Sequence, residues 1–166
     1  MLVIALAVKF TSKGPVFYWS DRIGADNTVF KMPKFRTMIP ETQAVATHLL
    51  ETPEKYLTPI GSFLRKFSLD ELPQLFCIIK GNLNFVGPRP ALFNQDDLIL
   101  LRTQKGIHKL TPGITGWAQI NGRDESSIPT KVKYDEYYML HRSFMFDFKI
   151  LLTTLLRIMT CEGVKH

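Results

Sequence analysis

Residues Arg65–Gly81 read RKFSLDELPQLFCIIKG, and the middle of this stretch decides how the chain around it is assembled. Ser68 with Glu71 three residues on fits a capping box, Ser68 at the N-cap and Glu71 at the third helical position. Asp70 is favoured at the same end by the helix dipole. Leu72, Leu75, Phe76 and Ile79 follow at i, i+3, i+4, i+7, which predicts one buried helical face. Gly81 closes the pattern at the position just past the helix end. Pro73 fits less well. In a helix capped at Ser68 it forfeits a backbone hydrogen bond, so the helix start is irregular or later than the box implies.

Upstream, VFYWSDRIG (16–24) and TVFKMPKFRTM (28–38) are strand-like segments around ADN, a hairpin pattern. Pro33 demotes the second to an edge or interrupted strand. Residues 40–57 are more polar and are expected to be helical. Downstream, Pro88 and Pro90 stiffen the backbone on both sides of Arg89. LTPGITGWAQINGR (110–123) is a glycine-rich loop or short strand pair, and 131–160 holds two helical patterns broken near Ser143. With no internal repeat or linker, the expectation is one α+β domain over 1–166, mainly helical, with a small N-terminal β-hairpin.

The chain has 166 residues, with 45% hydrophobic and 22% charged, enough for one domain with a real core and too ordered in composition for wholesale disorder. A net charge of +6 favours an anionic partner. Nucleic acid is not expected, because no recognition motif accompanies the charge and the cations stand in Pro/Gly turns beside acids. Cys77 and Cys161 have no metal-ligand spacing, and the scattered histidines argue against zinc.

Both ends are unusually apolar. MLVIALAVKF (1–10) falls far short of the ~20 residues a spanning helix needs; it fits a core helix, an interfacial or re-entrant segment, or part of something longer. Residues 144–159 carry apolar side chains over more than the single stripe of a surface helix. That fits a buried helix, or one lying in a membrane interface with Lys149 and Arg157 snorkelling. Two such segments on a basic chain favour a membrane surface.

Capping alone accounts for the acids Asp70 and Glu71. Neighbours on a helix point ~100° apart, however, so the two do not face each other and each has its own surroundings. An aspartate at a helix N-terminus, with Arg65 and Lys66 one turn back, is also placed like a nucleophile toward a phosphoryl group. Lys34, Arg36, Arg89 and Arg123 lie in segments constrained by Pro, Gly or a strand, where a side chain can be aimed at phosphate oxygens.

The ordered motifs TSKGPVFYWSDRIG, KFRTM, RKFSLDELPQLFCIIKGNLNFVGPRP, TPGITGWAQINGR and YDEYY resemble the bacterial sugar transferase family, the monotopic phosphoglycosyl transferases. The likeness runs from about Ala7 to Met159. It implies transfer of a sugar 1-phosphate from a UDP-sugar to a polyprenyl phosphate, usually undecaprenyl phosphate, with release of UMP. It further implies a bacterial inner-membrane, cytoplasmic-face location with lipid as a partner, and amphipathic membrane-interface helices. Carried over by motif, Asp70 is the nucleophile that becomes a phospho-sugar adduct and Glu71 assists. Both are implied ligands of Mg²⁺. Lys34, Arg65, Arg89 and Arg123 hold phosphates, with Asp135 and Pro88 as supporting positions. Two departures are visible: residues 1–10 look like the remnant of a longer re-entrant membrane helix, and Asn82 stands where relatives usually have aspartate. They leave a catalytically silent, membrane- or partner-binding homologue as the alternative.

Overall fold

The computed structural model describes residues 1–40, 42, 53–122 and 126–160. Helix α1, Leu2–Thr11, ends where Ser12 turns to extended backbone. Strands β1, Phe17–Ile23, and β2, Val29–Phe35, then form the expected antiparallel hairpin, with Phe17 opposite Phe35 and Ile23 opposite Val29. A short 3-10 turn at Ala25–Asn27 reverses the chain, and Asp26 and Asn27 take the left-handed φ angles of 51° and 57° that these residue types tolerate. Pro33 sits inside β2 opposite Trp19 without interrupting it. β2 pairs in its sheet with β1 alone, and on its other side a missing N–H costs no ladder bond. Most of the polar stretch 40–57 lies outside the described residues; its last part is a 3-10 turn at Pro53–Tyr56.

Helix α2 spans Gly61–Lys66 and α3 spans Leu75–Ile79, joined by a 3-10 turn at Leu69–Gln74. The capping box does not form. Ser68 is left-handed, φ 53°, and makes no side-chain cap bond; its own N–H donates to the Arg65 carbonyl. Pro73 is accommodated because the α-helix begins two residues after it. The 3-10 period also rotates the expected apolar face: Pro73, Gln74 and Cys77 are buried, whereas Phe76 and Ile79 are 53% and 82% exposed. Gly81 does close α3. At φ +79° it donates to Ile78 O and the Asn82 N–H donates to Cys77 O, the two bonds of a Schellman motif.

Strand β3, Asn84–Val86, pairs in parallel with β4, Gly113–Thr115, and helix α4, Asp96–Gln104, lies between them in the chain. The glycine-rich segment therefore splits into a strand that pairs outside itself and a helix, α5, Trp117–Asn121. Helices α6, Ile128–His141, and α7, Phe144–Thr160, break at Ser143 as expected, and the Ser143 hydroxyl accepts the Phe146 N–H. The described residues thus hold seven α-helices and a small N-terminal hairpin, an α+β arrangement.

Four apolar clusters tie the elements together. Val8, Phe35 and Leu64 lock α1 and α2 onto β2, each at most 1% exposed. Burying a side chain of that size contributes about 1.5–3 kcal/mol. Phe30, Met32, Cys77 and Leu83 fasten α3 to the hairpin. Ala91, Leu98, Ile107 and Val132 join α4 to α6, and Val86, Ile120, Tyr138 and Ile150 hold α7. Polar ties add to this last group: Tyr138 donates to Asp147 Oδ1 at 2.8 Å, and the Thr115 and Thr154 hydroxyls meet at 2.7 Å. Among the described residues no helix is long and apolar enough to cross a membrane. Yet α1 leaves Leu2, Val3 and Phe10 exposed, and α7 leaves Phe144, Met145, Phe148, Leu155 and Met159 exposed.

Candidate active site

Side chains alternate along a strand, so Lys34 shares a face of β2 with Phe30 and Met32. Those two pack on Cys77 of α3, so this face looks toward the Leu69–Gln74 turn. Lys34 Nζ accordingly meets Glu71 Oε1 at 2.6 Å, with the two side chains only 17% and 20% exposed. Arg89 Nη2 approaches the same oxygen at 3.7 Å. Burial acts to raise the Glu71 pKa, but Lys34 and then Arg89 outweigh it and hold the carboxyl at about 2. The Gln74 amide also draws it down. Residues three apart eclipse in a 3-10 turn, which puts Gln74 on the Glu71 side; its Nε2 is buried outside hydrogen-bond geometry.

Asp70 is treated differently. It is 8% exposed, and among the described residues no ion pair ends on it. Burial pushes its pKa up, and the fields of Lys34 and Arg65 pull it down. Arg65, whose Nε donates to Thr37 Oγ1 at 2.9 Å, is held beside Asp70 without bonding to it. Adjacent residues of a 3-10 turn point about 120° apart, so the two acids do have separate surroundings. One carboxylate is a fixed ion-pair partner. The other is buried beside Lys34 and Arg65 and ends in no ion pair among the described residues.

Of the expected site residues, Lys34, Arg65, Asp70, Glu71 and Arg89 come together, and Arg123 lies outside the described residues. Pro88 and Asp135 have their hydrogen-bond partners away from the two acids. The Pro88 carbonyl accepts the Gly113 N–H at 3.0 Å. Asp135, 2% exposed, accepts from Arg102 Nε and Nη2 at 3.0 and 2.7 Å. Arg36 belongs to the scaffold: its guanidinium donates to the carbonyls of Ser12 and Lys13, where α1 ends. Asn82 is exposed, and its backbone closes α3. Sequence reasoning missed Gln74 and Arg102. The three-residue spacing from Glu71 could have flagged Gln74, whereas Arg102 sits in an apolar helical run with no local signal.

The GPRP loop approaches so closely that only glycine fits on its two sides. A Cβ on Gly113 would lie 2.1 Å from Gly87 N, and one on Gly116 would lie 2.1 Å from Gly87 O. For a metal, no group of three His, Cys, Asp or Glu side chains gathers among the described residues. Asp70 is the carboxylate at hand, since Glu71 Oε1 is already held by Lys34 and Arg89. That donor set fits Mg²⁺, which is usually held by one or two carboxylates and takes its other ligands from water and substrate phosphates.

The chain matches the family described as Bacterial sugar transferase over residues 1–161. It is 40% identical to an uncharacterized sugar transferase, EpsL, of Bacillus subtilis, over all of this chain and 81% of that protein. It is 36% identical to the exopolysaccharide production protein ExoY of Sinorhizobium fredii, over 98% of this chain and 78% of the relative. It is also 40% identical to the UDP-glucose:undecaprenyl-phosphate glucose-1-phosphate transferase of Escherichia coli, over 93% of this chain but 35% of that longer protein. With its acidic pair buried among basic residues and its whole described fold inside the matched region, the chain belongs to the bacterial sugar transferase family.

Proposed function

We propose that this protein transfers a sugar 1-phosphate from a UDP-sugar to undecaprenyl phosphate, as the first membrane step of exopolysaccharide, O-antigen, capsule or related glycan assembly. One observation carries the reading: adjacent acids are divided, Glu71 locked by Lys34 and Arg89 while Asp70 is buried among cations without an ion pair. Lys34, Arg65 and Arg89 hold the diphosphate, and Arg123 is a further phosphate-binding candidate. An Asp70 oxygen attacks the β-phosphorus; that bond forms as the bond to the UMP oxygen breaks, and UMP leaves. An oxygen of undecaprenyl phosphate then attacks the same phosphorus, and the Asp70–phosphorus bond breaks to give the lipid diphospho-sugar and free Asp70. Mg²⁺, held by Asp70 with the diphosphate, would neutralise charge on the departing phosphate.

Glu71 anchors the cations and keeps them beside the reacting phosphate. The exposed apolar side chains of α1 and α7 seat the protein monotopically on the cytoplasmic face of the inner membrane. The test is UMP release from a panel of UDP-sugars with undecaprenyl phosphate and Mg²⁺. Asp70→Asn should remove turnover while leaving the unfolding midpoint close to that of the parent. Substantial turnover by that variant would refute the assigned nucleophile. A folded, vesicle-binding protein that releases UMP from no donor would point to the silent homologue.

A further inference from the structure

We infer that Arg102 and Asp135 form a positioning pair that sets the Arg89 arm of the site, although neither touches the acids. The inference rests on the reading of Arg89 as a phosphate-holding group. Its basis is how the GPRP loop is held. Pro88 and Pro90 have no N–H, so this loop is fastened largely through its carbonyls. Three consecutive carbonyls are each held from a different element. Pro88 O accepts from Gly113 N–H at 3.0 Å, Arg89 O from Arg102 Nη1 at 2.8 Å, and Pro90 O from Arg22 Nη1 at 3.1 Å.

The middle tether is the one at the residue that reaches Glu71. Arg102 is a fork with all three nitrogens used: Nε and Nη2 end on Asp135 Oδ2, and Nη1 ends on the Arg89 carbonyl. The Arg102 side chain is 11% exposed and the Asp135 side chain 2% exposed. They reach from α4 and α6, whose apolar contact through Leu98 and Val132 keeps the two helices together. A planar, bidentate fork fixes direction as well as distance, which a lysine in its place would not do. Rotating or freeing Arg102 releases the Arg89 carbonyl and lets the side chain swing from the Glu71 edge, so the pair acts on phosphate binding through the loop.

A buried ion pair also contributes to the fold, so the test must separate positioning from stability. Replacing the pair by apolar residues of similar size, R102M with D135L, removes the tether without leaving an unpaired charge; such replacements are often neutral for stability. UDP affinity is read by titration calorimetry with magnesium chloride present, alongside the unfolding midpoint. R89A should weaken UDP binding about tenfold or more, the loss of one bidentate, charge-assisted contact. R102M/D135L should weaken it by a similar factor at a near-parental midpoint. The two changes combined should be no worse than R89A alone by more than about threefold, since they act on one contact.

Parental UDP affinity in folded R102M/D135L, or a full additional loss in the R89A background, overturns the inference. Unchanged UDP affinity in R89A overturns the reading of Arg89 first, and the inference with it. If R102M/D135L does not fold, R102K measured below its own midpoint takes its place in the same cycle. A loss of UDP affinity in R102K that vanishes in the R89A background then supports positioning, and an additive loss refutes it.

Discussion

Replacing Lys34 by methionine should unfold the protein more easily, by an amount that the geometry sets and that pH should modulate. Methionine roughly preserves the stem and its packing, so the change is mainly the loss of the ammonium 2.6 Å from Glu71 Oε1. The folded protein holds the Glu71 carboxyl at about 2 against an ordinary 4.5. Each pH unit of that difference corresponds to ~1.4 kcal/mol, giving about 3 kcal/mol. Arg89, still 3.7 Å away, keeps a share of the attraction. The burial penalty, no longer opposed by Lys34, acts the other way, so about 3 kcal/mol stands as the expected loss at pH 7. In a chain of 166 residues that is about 6–12 °C in the midpoint.

The sign of the pH dependence follows from Glu71 being more acidic when folded. Its stabilisation is fully present above about pH 4.5 and fades as pH falls toward 2. The gap between parent and K34M should therefore shrink from about 3 kcal/mol at pH 7 to about half that at pH 3. Urea unfolding followed by circular dichroism at pH 7, 5, 4 and 3 measures it. K34M/E71Q, which removes both charges, should recover more than half of the loss. A loss under about 1 kcal/mol at pH 7, or one that is the same at pH 3, would show that the pair does not hold Glu71 as described.

Two further outcomes test the scaffold and the surface. G113A places a Cβ 2.1 Å from Gly87 N and 2.5 Å from Thr115 O, so it should cost more than about 2 kcal/mol. G106A, whose added Cβ meets nothing within 4 Å at φ +75°, should cost only about 1 kcal/mol; equal midpoints for the two variants would contradict the close approach at the GPRP loop. On α7, Phe148 and Leu155 are 54% and 55% exposed and seven residues apart, hence on one face. F148S/L155S, which removes apolar area without adding charge, should cut sedimentation with anionic phospholipid vesicles at least about tenfold at an unchanged unfolding midpoint; undiminished vesicle binding would remove α7 from the membrane-contacting surface.

Features that depend on near neighbours along the chain were legible before any packing was known. Alternation on either side of Ala25–Asn27 specified the hairpin, because strand period and turn chemistry are both local. Gly81 ended α3 because only a residue at ease with positive φ makes the Schellman closure, and Ser143 broke the last two helices where expected. The order of motifs carried the expectation about the chemistry, and Asp70 with Glu71 could be named as its candidates. Which acid is tied and which is left available was decided only by tertiary structure. Lys34 lies 37 residues from Glu71, and no local pattern encodes that meeting; it follows from β2 and α3 packing face to face. The same contact overrode the capping box, since Pro73 and the left-handed Ser68 favour a 3-10 turn that aims Glu71 at Lys34 instead of at its own helix end. Arg102 was invisible for the same reason: its partners are 33 and 13 residues away on other segments. Local patterns report periodicity and caps over a turn or two, whereas a buried charge finds its partner only when separate elements pack and exclude the water that would otherwise solvate it.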